Sequence, residues 1–110
     1  MIIDLKNMEA TAMPNFKGGE KEFLAKMFFD GKNRIMHGTL VQGASIGLHT
    51  HETNSEILFV LSGSGRVIFG DGEEIVSAGQ CHYCPKGHSH SLINDNAEPL
   101  VFFACVPEQA

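Results

Sequence analysis

The chain has 110 residues, of which 43% are apolar, and its formal net charge is −5 at pH 7. This length and composition predict one folded domain and exclude a disordered chain. The eight Lys and Arg residues are scattered along the sequence. They form no basic patch, which argues against nucleic acid and anionic membranes as partners.

Neither a membrane-spanning segment nor a disulfide framework is expected. The longest apolar run, Leu100 to Val106, is far shorter than the roughly 20 residues that cross a bilayer. Asp4 interrupts the basic-then-apolar layout of a signal peptide, so we expect a cytoplasmic protein. The odd number of cysteines predicts buried structural thiols at Cys81, Cys84 and Cys105.

Short runs of β-forming residues follow one another, each closed by a turn rich in Gly, Asn or Pro. The predicted strands are 22–29, 34–42, 57–61, 66–69, 73–76, 81–84, 89–93 and 100–106, with a further strand carrying His49 and His51. Turn signals such as Asp30-Gly31 separate them. Strands at this regular spacing, with almost no helical periodicity, predict an all-β sandwich or barrel.

The first twenty residues differ from the rest of the chain. With Pro14 and Gly18-Gly19 they predict an arm, 1–20, that packs on the barrel or on a partner subunit, while 21–110 form the barrel. Only 4–12 could hold a helical turn. The strand at 57–61 is apolar on both faces, whereas a sheet with one wet face alternates. We therefore expect its second face to be covered by another subunit, with the arm as the alternative cover.

Four residues have the chemistry and spacing of ligands to one transition metal: His49, His51, Glu56 and His90. The first two are two apart on a predicted strand and so share a face. Glu56 opens the next strand, and His90 opens a later one after a turn. Imidazoles with a carboxylate suit Mn, Fe, Co, Ni, Cu or Zn. Held by four protein ligands, an octahedral ion keeps two positions for substrate or dioxygen, whereas tetrahedral zinc is closed.

The other three histidines have less specific positions. His88 follows a Pro-x-Gly turn and is a candidate for the cavity mouth and for proton transfer. We interpret His37 and His82 as residues that do not bind the metal. His37 would line the cavity if its strand faces inward.

Two complete motifs resemble those of the cupin superfamily. The first is Gly43-x5-His49-x-His51-x4-Glu56-x6-Gly63, and the second is Gly79-x5-Pro85-x-Gly87-x2-His90-x3-Asn94. One departure is Gln80, where cupins often carry an acidic residue. The resemblance to small single-domain cupins implies an antiparallel jelly-roll β-barrel that encloses the metal, with His49, His51, Glu56 and His90 as its ligands. It also implies a homodimer.

Strand parity predicts a largely apolar pocket around the metal. Inward-facing side chains are expected at Leu58, Val60 and Leu92, with Met27, Phe29, Met36 and Phe102 as further wall residues. No cation is evidently aimed at the site, because Arg34, Arg66 and Lys86 all lie beside turns. This argues against sugar-phosphate chemistry, which must hold a dianion. It favours a small, weakly polar ligand or one that chelates the metal.

The sequence leaves three functions open. The first is a metal-dependent, dioxygenase-like enzyme acting on a small chelating, largely apolar organic substrate, with Glu56 or His88 as proton carrier. The second is a module that binds or senses a small ligand without turnover. The third is a metal-dependent isomerase or lyase, which shares the site but needs no dioxygen.

Overall fold

The chain folds into ten antiparallel strands and two short 3-10 segments. The structure is a computed structural model and describes residues 1–109. The strands are β1 Thr11–Pro14, β2 Glu22–Phe29, β3 Asn33–Leu40, β4 Ser45–Thr50, β5 Glu56–Ser62, β6 Ser64–Phe69, β7 Gly72–Ser77, β8 Cys81–Cys84, β9 Ser89–Ile93 and β10 Leu100–Pro107. The 3-10 segments are Leu5–Asn7 and Phe16–Gly18. No helix within residues 1–109 is long and apolar enough to cross a membrane.

The strands form two facing sheets. The large sheet has six strands in the order β1-β2-β3-β10-β5-β8, and the small sheet has four in the order β4-β9-β6-β7. This arrangement confirms the predicted all-β antiparallel jelly roll. The barrel is not closed by hydrogen bonds, however, because the two sheets are separate ladders. The turn at Gly79 carries the chain from β7, at the edge of the small sheet, to β8, at the edge of the large sheet. These two edge strands do not pair with each other.

The predicted strands 22–29, 81–84 and 89–93 coincide with β2, β8 and β9. The sequence missed β1, which pairs with β2 from Thr11 opposite Ala25 to Pro14 opposite Glu22. A strand that ends in proline suits the edge of a sheet, where a missing N–H leaves no ladder bond unmade. Of the helical turn considered for 4–12, the structure has only the 3-10 segment Leu5–Asn7.

The apolar core lies between the two sheets. Its most deeply buried apolar side chains are Phe23, Phe102, Leu40, Leu58, Leu100, Val60 and Val67. The rings of Phe23 and Phe102 stack with centroids 5.8 Å apart. Gly38 makes this stack possible, because a Cβ there would lie 2.5 Å from the ring of Phe102. The buried interior also holds Glu56, His82 and His90, and these polar groups mark the site.

Asn94 joins the end of β9 to the end of β3. Its side chain is fully buried, and its amide donates to the carbonyl oxygens of Leu40 at 2.8 Å and Glu98 at 2.9 Å. Its own side-chain oxygen accepts from the backbone N–H of Asn96. Each polar atom of this buried amide therefore has a partner.

We expect Asn94→Ala to lower the free energy of unfolding by about 2–4 kcal/mol, because buried backbone groups lose their partners. Urea denaturation measures the change. Asn7→Ala is the matched control, since its hydrogen bond to Asp4 is exposed, and a shift below about 0.5 kcal/mol is expected there. An Asn94→Ala protein as stable as the control would contradict this assignment.

Candidate metal centre

Three segments of chain bring four donor side chains together. His49 lies on β4 and pairs directly with His90 on β9 in the small sheet. His51 follows the end of β4, and Glu56 opens β5 in the large sheet. His51, Glu56 and His90 are buried, while His49 is half-buried. The site therefore bridges the two sheets from inside.

The donor atoms are spaced as neighbours around one ion. Nε2 of His90 lies 3.0 Å from Nε2 of His51 and 3.2 Å from Nε2 of His49. Glu56 Oε1 lies 3.0 Å from Nε2 of His90 and 3.2 Å from Nε2 of His51. Two donors at right angles, each about 2.1 Å from a metal, would be about 3 Å apart. The four donors lie within 4.8 Å of one another, so they could hold a single ion.

In two of the candidate ligands, the ring nitrogen that faces away from the cluster, Nδ1, already makes a hydrogen bond. Nδ1 of His49 donates to the carbonyl oxygen of Gly47 at 2.7 Å, and Nδ1 of His51 donates to Asn54 Oδ1 at 2.6 Å. A neutral imidazole has one proton, so each Nε2 presents a lone pair to the cluster. Lone pairs that face one another at this distance repel, and a cation between them would relieve that repulsion. The donor set thus fits a divalent metal.

Electrostatics keeps the carboxylate ionised. Burial acts to raise the pKa of Glu56. When Nε2 of His51 or of His90 carries a proton, however, it donates to this carboxylate, and these hydrogen bonds outweigh burial and lower that pKa to about 2. A bound metal would take the place of those protons. The same hydrogen bond to Glu56 raises the pKa of His51. Burial lowers the pKa of His49. At neutral pH the site therefore offers one anionic oxygen and at least one neutral imidazole.

A pocket of about 410 Å³ is lined by three of the four donor residues, His49, His51 and Glu56, and its size is typical of small-molecule sites. Its apolar wall is formed by Phe16, Phe23, Phe29, Met36, Ile46 and Val106. Lys17 and Arg34 also line it, so the expectation of a pocket without cations was wrong. The guanidinium carbon of Arg34 lies 4.6 Å from the ring centroid of Phe29. Arg34 does lie beside a turn, but that turn stands at the rim of the pocket.

Lys17 reaches the site because the N-terminal arm lies against β4. A Cβ on Gly47 would collide with the carbonyl oxygen of Lys17, so only glycine permits this approach. Gly47 also accepts the hydrogen bond of His49. Ser45 and Glu20 fasten the arm through reciprocal hydrogen bonds at 2.9 and 3.0 Å. One stretch of β4 therefore positions both the donor residue His49 and the pocket-wall residue Lys17.

The other predicted wall residues have different positions. Phe29 and Met36 line the pocket, whereas Met27 packs against the core. Four others point inward as predicted but belong to the buried core and do not line the pocket: Leu58, Val60, Leu92 and Phe102. The core fills the space between the sheets at these positions, and the pocket opens elsewhere.

The remaining histidines differ in burial. His88 is exposed, stacks on Phe69 with ring centroids 5.6 Å apart, and does not line the pocket; its role as proton carrier stays a prediction. His37 lies on the outer face of β3, between inward-facing Met36 and Gly38. The sequence missed His82, which is buried with Nε2 3.0 Å from Nδ1 of His90. Side chains alternate between outward and inward along β8, and this alternation could have identified His82 as an inward-facing residue.

The three cysteines are free thiols, as expected. They are not all buried, because Cys81 is exposed and Cys105 only half-buried. Cys84 is the buried one, and burial raises its pKa to about 11. It is therefore a protonated thiol at neutral pH.

Comparison with known proteins identifies a matching family, a relative of similar length and solved structures of the same fold. A family model described as a cupin domain matches residues 36–106. The oxalate-binding protein of Thermotoga maritima is 30% identical over 113 residues, spanning 96% of this chain and 93% of the relative. The crystal structure of a predicted oxalate decarboxylase from Thermotoga maritima superimposes with a TM-score of 0.92 at 26% identity, covering 99% of this chain and 100% of that one. A putative sugar phosphate isomerase from Acidithiobacillus ferrooxidans gives 0.82 at 20% identity, covering 99% and 75%.

We expect the double variant His49→Ala with His51→Ala to lose stoichiometric metal, because half of the donor atoms disappear. Elemental analysis of the purified protein measures metal per chain. His37→Ala is the control, since His37 lies outside the pocket and should leave the metal content unchanged. Unchanged metal in the double variant would refute the site.

Proposed function

The chain belongs to the cupin family, and we propose that it binds a divalent transition metal and, on that metal, a small organic anion that chelates through two oxygen atoms. The proposed metal is one of Mn, Fe, Co, Ni, Cu or Zn, and its proposed ligands are His49, His51, Glu56 and His90. One observation carries the proposal: the four donor atoms converge beside a pocket that Lys17 and Arg34 also line.

Charge favours an anionic ligand. A bound divalent ion would supply Lewis-acid charge, of which the single carboxylate of Glu56 neutralises only part. Lys17 and Arg34 add positive charge to the wall. The planar guanidinium of Arg34, lying against Phe29, suits two-point binding of a carboxylate. The wall also carries Glu52 and Glu108, of which Glu108 accepts hydrogen bonds from Thr53 and Asn54. With a divalent ion bound, the two cations and three acids of the lining would leave a net charge of +1.

The ligand class is that of dicarboxylates and 2-oxo acids, whose adjacent oxygens can bind one cation together. A relative that matches nearly the whole chain is named as an oxalate-binding protein, and oxalate is the simplest member of this class. The pocket of about 410 Å³ is larger than oxalate. A longer acid could therefore place its chelating end at the metal and its tail against the apolar wall.

Turnover is the second candidate, in the form of a dioxygenase-like reaction on a chelating organic substrate. The apolar part of the pocket wall favours it, because such a wall excludes water from a reactive site. Glu56 or His88 would then carry protons. Ligand-dependent oxygen uptake by the metal-loaded protein would identify this activity. Ligand consumption under argon, such as release of carbon dioxide from oxalate, would instead identify a lyase.

We expect the metal-loaded protein to bind oxalate at least ten times more tightly than acetate, because only oxalate chelates. Isothermal titration calorimetry measures both, and the metal-free protein should bind neither tightly. Lys17→Met and Arg34→Met should each weaken oxalate binding about 5-fold, corresponding to the loss of about 1 kcal/mol from one charge-assisted contact.

Lys32→Met is the matched control, because this substitution removes the same charge at an exposed position that does not line the pocket. It should leave oxalate affinity within about 2-fold of wild type. Equal affinity for oxalate and acetate would refute chelation. An effect of Lys32→Met as large as that of Lys17→Met would refute the specific role of the wall.

The outer face of the large sheet supports a second proposal, a homodimer. Neighbouring strands β8, β5 and β10 expose large uncharged side chains, between 37% and 52% accessible: Ile57, Phe59, Leu61, Tyr83 and Phe103. Phe59 and Phe103 are directly opposite in the β5–β10 ladder. An uncharged, apolar sheet face is complementary to its own copy across a twofold axis. We therefore propose that a second copy of this chain covers it.

We expect light scattering to give a mass near twice the 12.0 kDa of one chain. Phe59→Asp should yield the monomer, because it puts a charge in the middle of the apolar face. Ile75→Asp is the control, since Ile75 is exposed on β7 of the small sheet. A wild-type mass near 12.0 kDa at micromolar concentration would refute the dimer.

A further inference from the structure

A second groove, of about 530 Å³, lies along the edge strands β7 and β8. It is lined in part by Phe69, Glu74, Tyr83 and His82. The His82 side chain is buried, and it extends from this groove to the metal centre, because its Nε2 lies 3.0 Å from Nδ1 of His90. One imidazole therefore separates the groove from a donor residue.

His90 differs from the other two histidines of the cluster. Nδ1 of His49 faces a carbonyl oxygen, and Nδ1 of His51 faces an amide oxygen; such oxygens only accept, so each ring must be protonated on Nδ1. Nδ1 of His90 faces a nitrogen of another imidazole, which can donate or accept. The tautomer of His90 therefore depends on His82 at Nδ1 and on what faces Nε2, which is Glu56 at 3.0 Å and would be the metal in the loaded site.

Only one combination leaves His90 ready for a metal. Nε2 of His90 must present its lone pair to the cluster, so the proton of His90 lies on Nδ1 and Nε2 of His82 accepts it. The proton of His82 then lies on its own Nδ1, which is 3.8 Å from Glu74 Oε1.

We propose that His82 is a positioning residue that accepts the Nδ1 proton of His90 and thereby holds Nε2 of His90 as a lone-pair donor toward the metal. This inference rests on the proposed metal site. A histidine that orients another histidine replaces the usual carboxylate or carbonyl acceptor behind a metal ligand.

The surroundings of His82 favour this role. The ring of Phe69 packs edge-on against it, with centroids 5.4 Å apart and planes at 79°, which fixes its orientation. The Glu74 side chain is 63% exposed and lies beyond hydrogen-bond distance. Glu74→Gln should therefore change little, and the positioning role belongs to His82.

Paired variants test the proposal through metal affinity, measured by competition with a chelator. His82→Phe fills the space but removes the acceptor, and it should weaken metal binding about 10–100-fold. His82→Gln places an amide oxygen near the position of Nε2 and should stay within about 3-fold of wild type. His37→Phe makes the same exchange outside the pocket and should have no effect. Equal affinities for His82→Phe and wild type would overturn the proposal.

Proteins loaded with diamagnetic Zn²⁺ give an independent readout. Long-range proton–nitrogen NMR correlations identify which nitrogen of His90 carries the proton, and hydrogen exchange shows how firmly that proton is held. We expect a slowly exchanging proton on Nδ1 of His90 in wild type and His82→Gln, and we expect the slow exchange to be lost in His82→Phe. Equal exchange rates in the three proteins, or a wild-type His90 protonated on Nε2, would overturn the proposal. A wild type that takes up no Zn²⁺ would instead refute the proposed metal site.

Discussion

The pairing of β4 with β9 is the constraint on which the site depends. It sets His49 directly opposite His90 in the small sheet, and the facing large sheet delivers Glu56 to the same point. A buried carboxylate is costly unless polar hydrogens or a cation surround it. Here two imidazoles serve that purpose, and their outer nitrogens are held in turn by Asn54 and His82. The core of the sandwich and the donor cluster are therefore parts of one packed interior.

The N-terminal arm supplies one of the two cations on the pocket wall. Its backbone lies so close to β4 that Gly47 has no room for a side chain, and this contact places Lys17 at the pocket wall. The other cation, Arg34, comes from β3 and lies against the ring of Phe29. The cations come from segments outside both metal-binding motifs. Ligand selectivity can thus change through the arm while the donor set stays the same.

The sequence predicted those features that local pattern and spacing determine. Strands such as β2 and β8 are bounded by glycine and proline turns, and the shared face of His49 and His51 follows from the period of two along a strand. Glu56 and His90 were identified by their spacing and by the two motifs that resemble those of cupins. The sequence missed β1 because a four-residue edge strand ending in Pro14 has little strand signal of its own and forms only through its pairing with β2. The cationic wall was missed for the same reason, since Lys17 meets the site through tertiary packing. His82 was missed because a lone inward histidine resembles an ordinary core residue.

The donor cluster also links the metal to the stability of the fold. Glu56 and the Nε2 atoms of three imidazoles lie together in a largely buried space, where the protons that His51 and His90 can donate to Glu56 would compete with a metal for the same atoms. A cation that binds this arrangement, but not the unfolded chain, adds its binding free energy to folding. Two of the donor residues, His49 and His90, lie opposite each other on β4 and β9. A bound metal would therefore stabilise the small sheet together with the site.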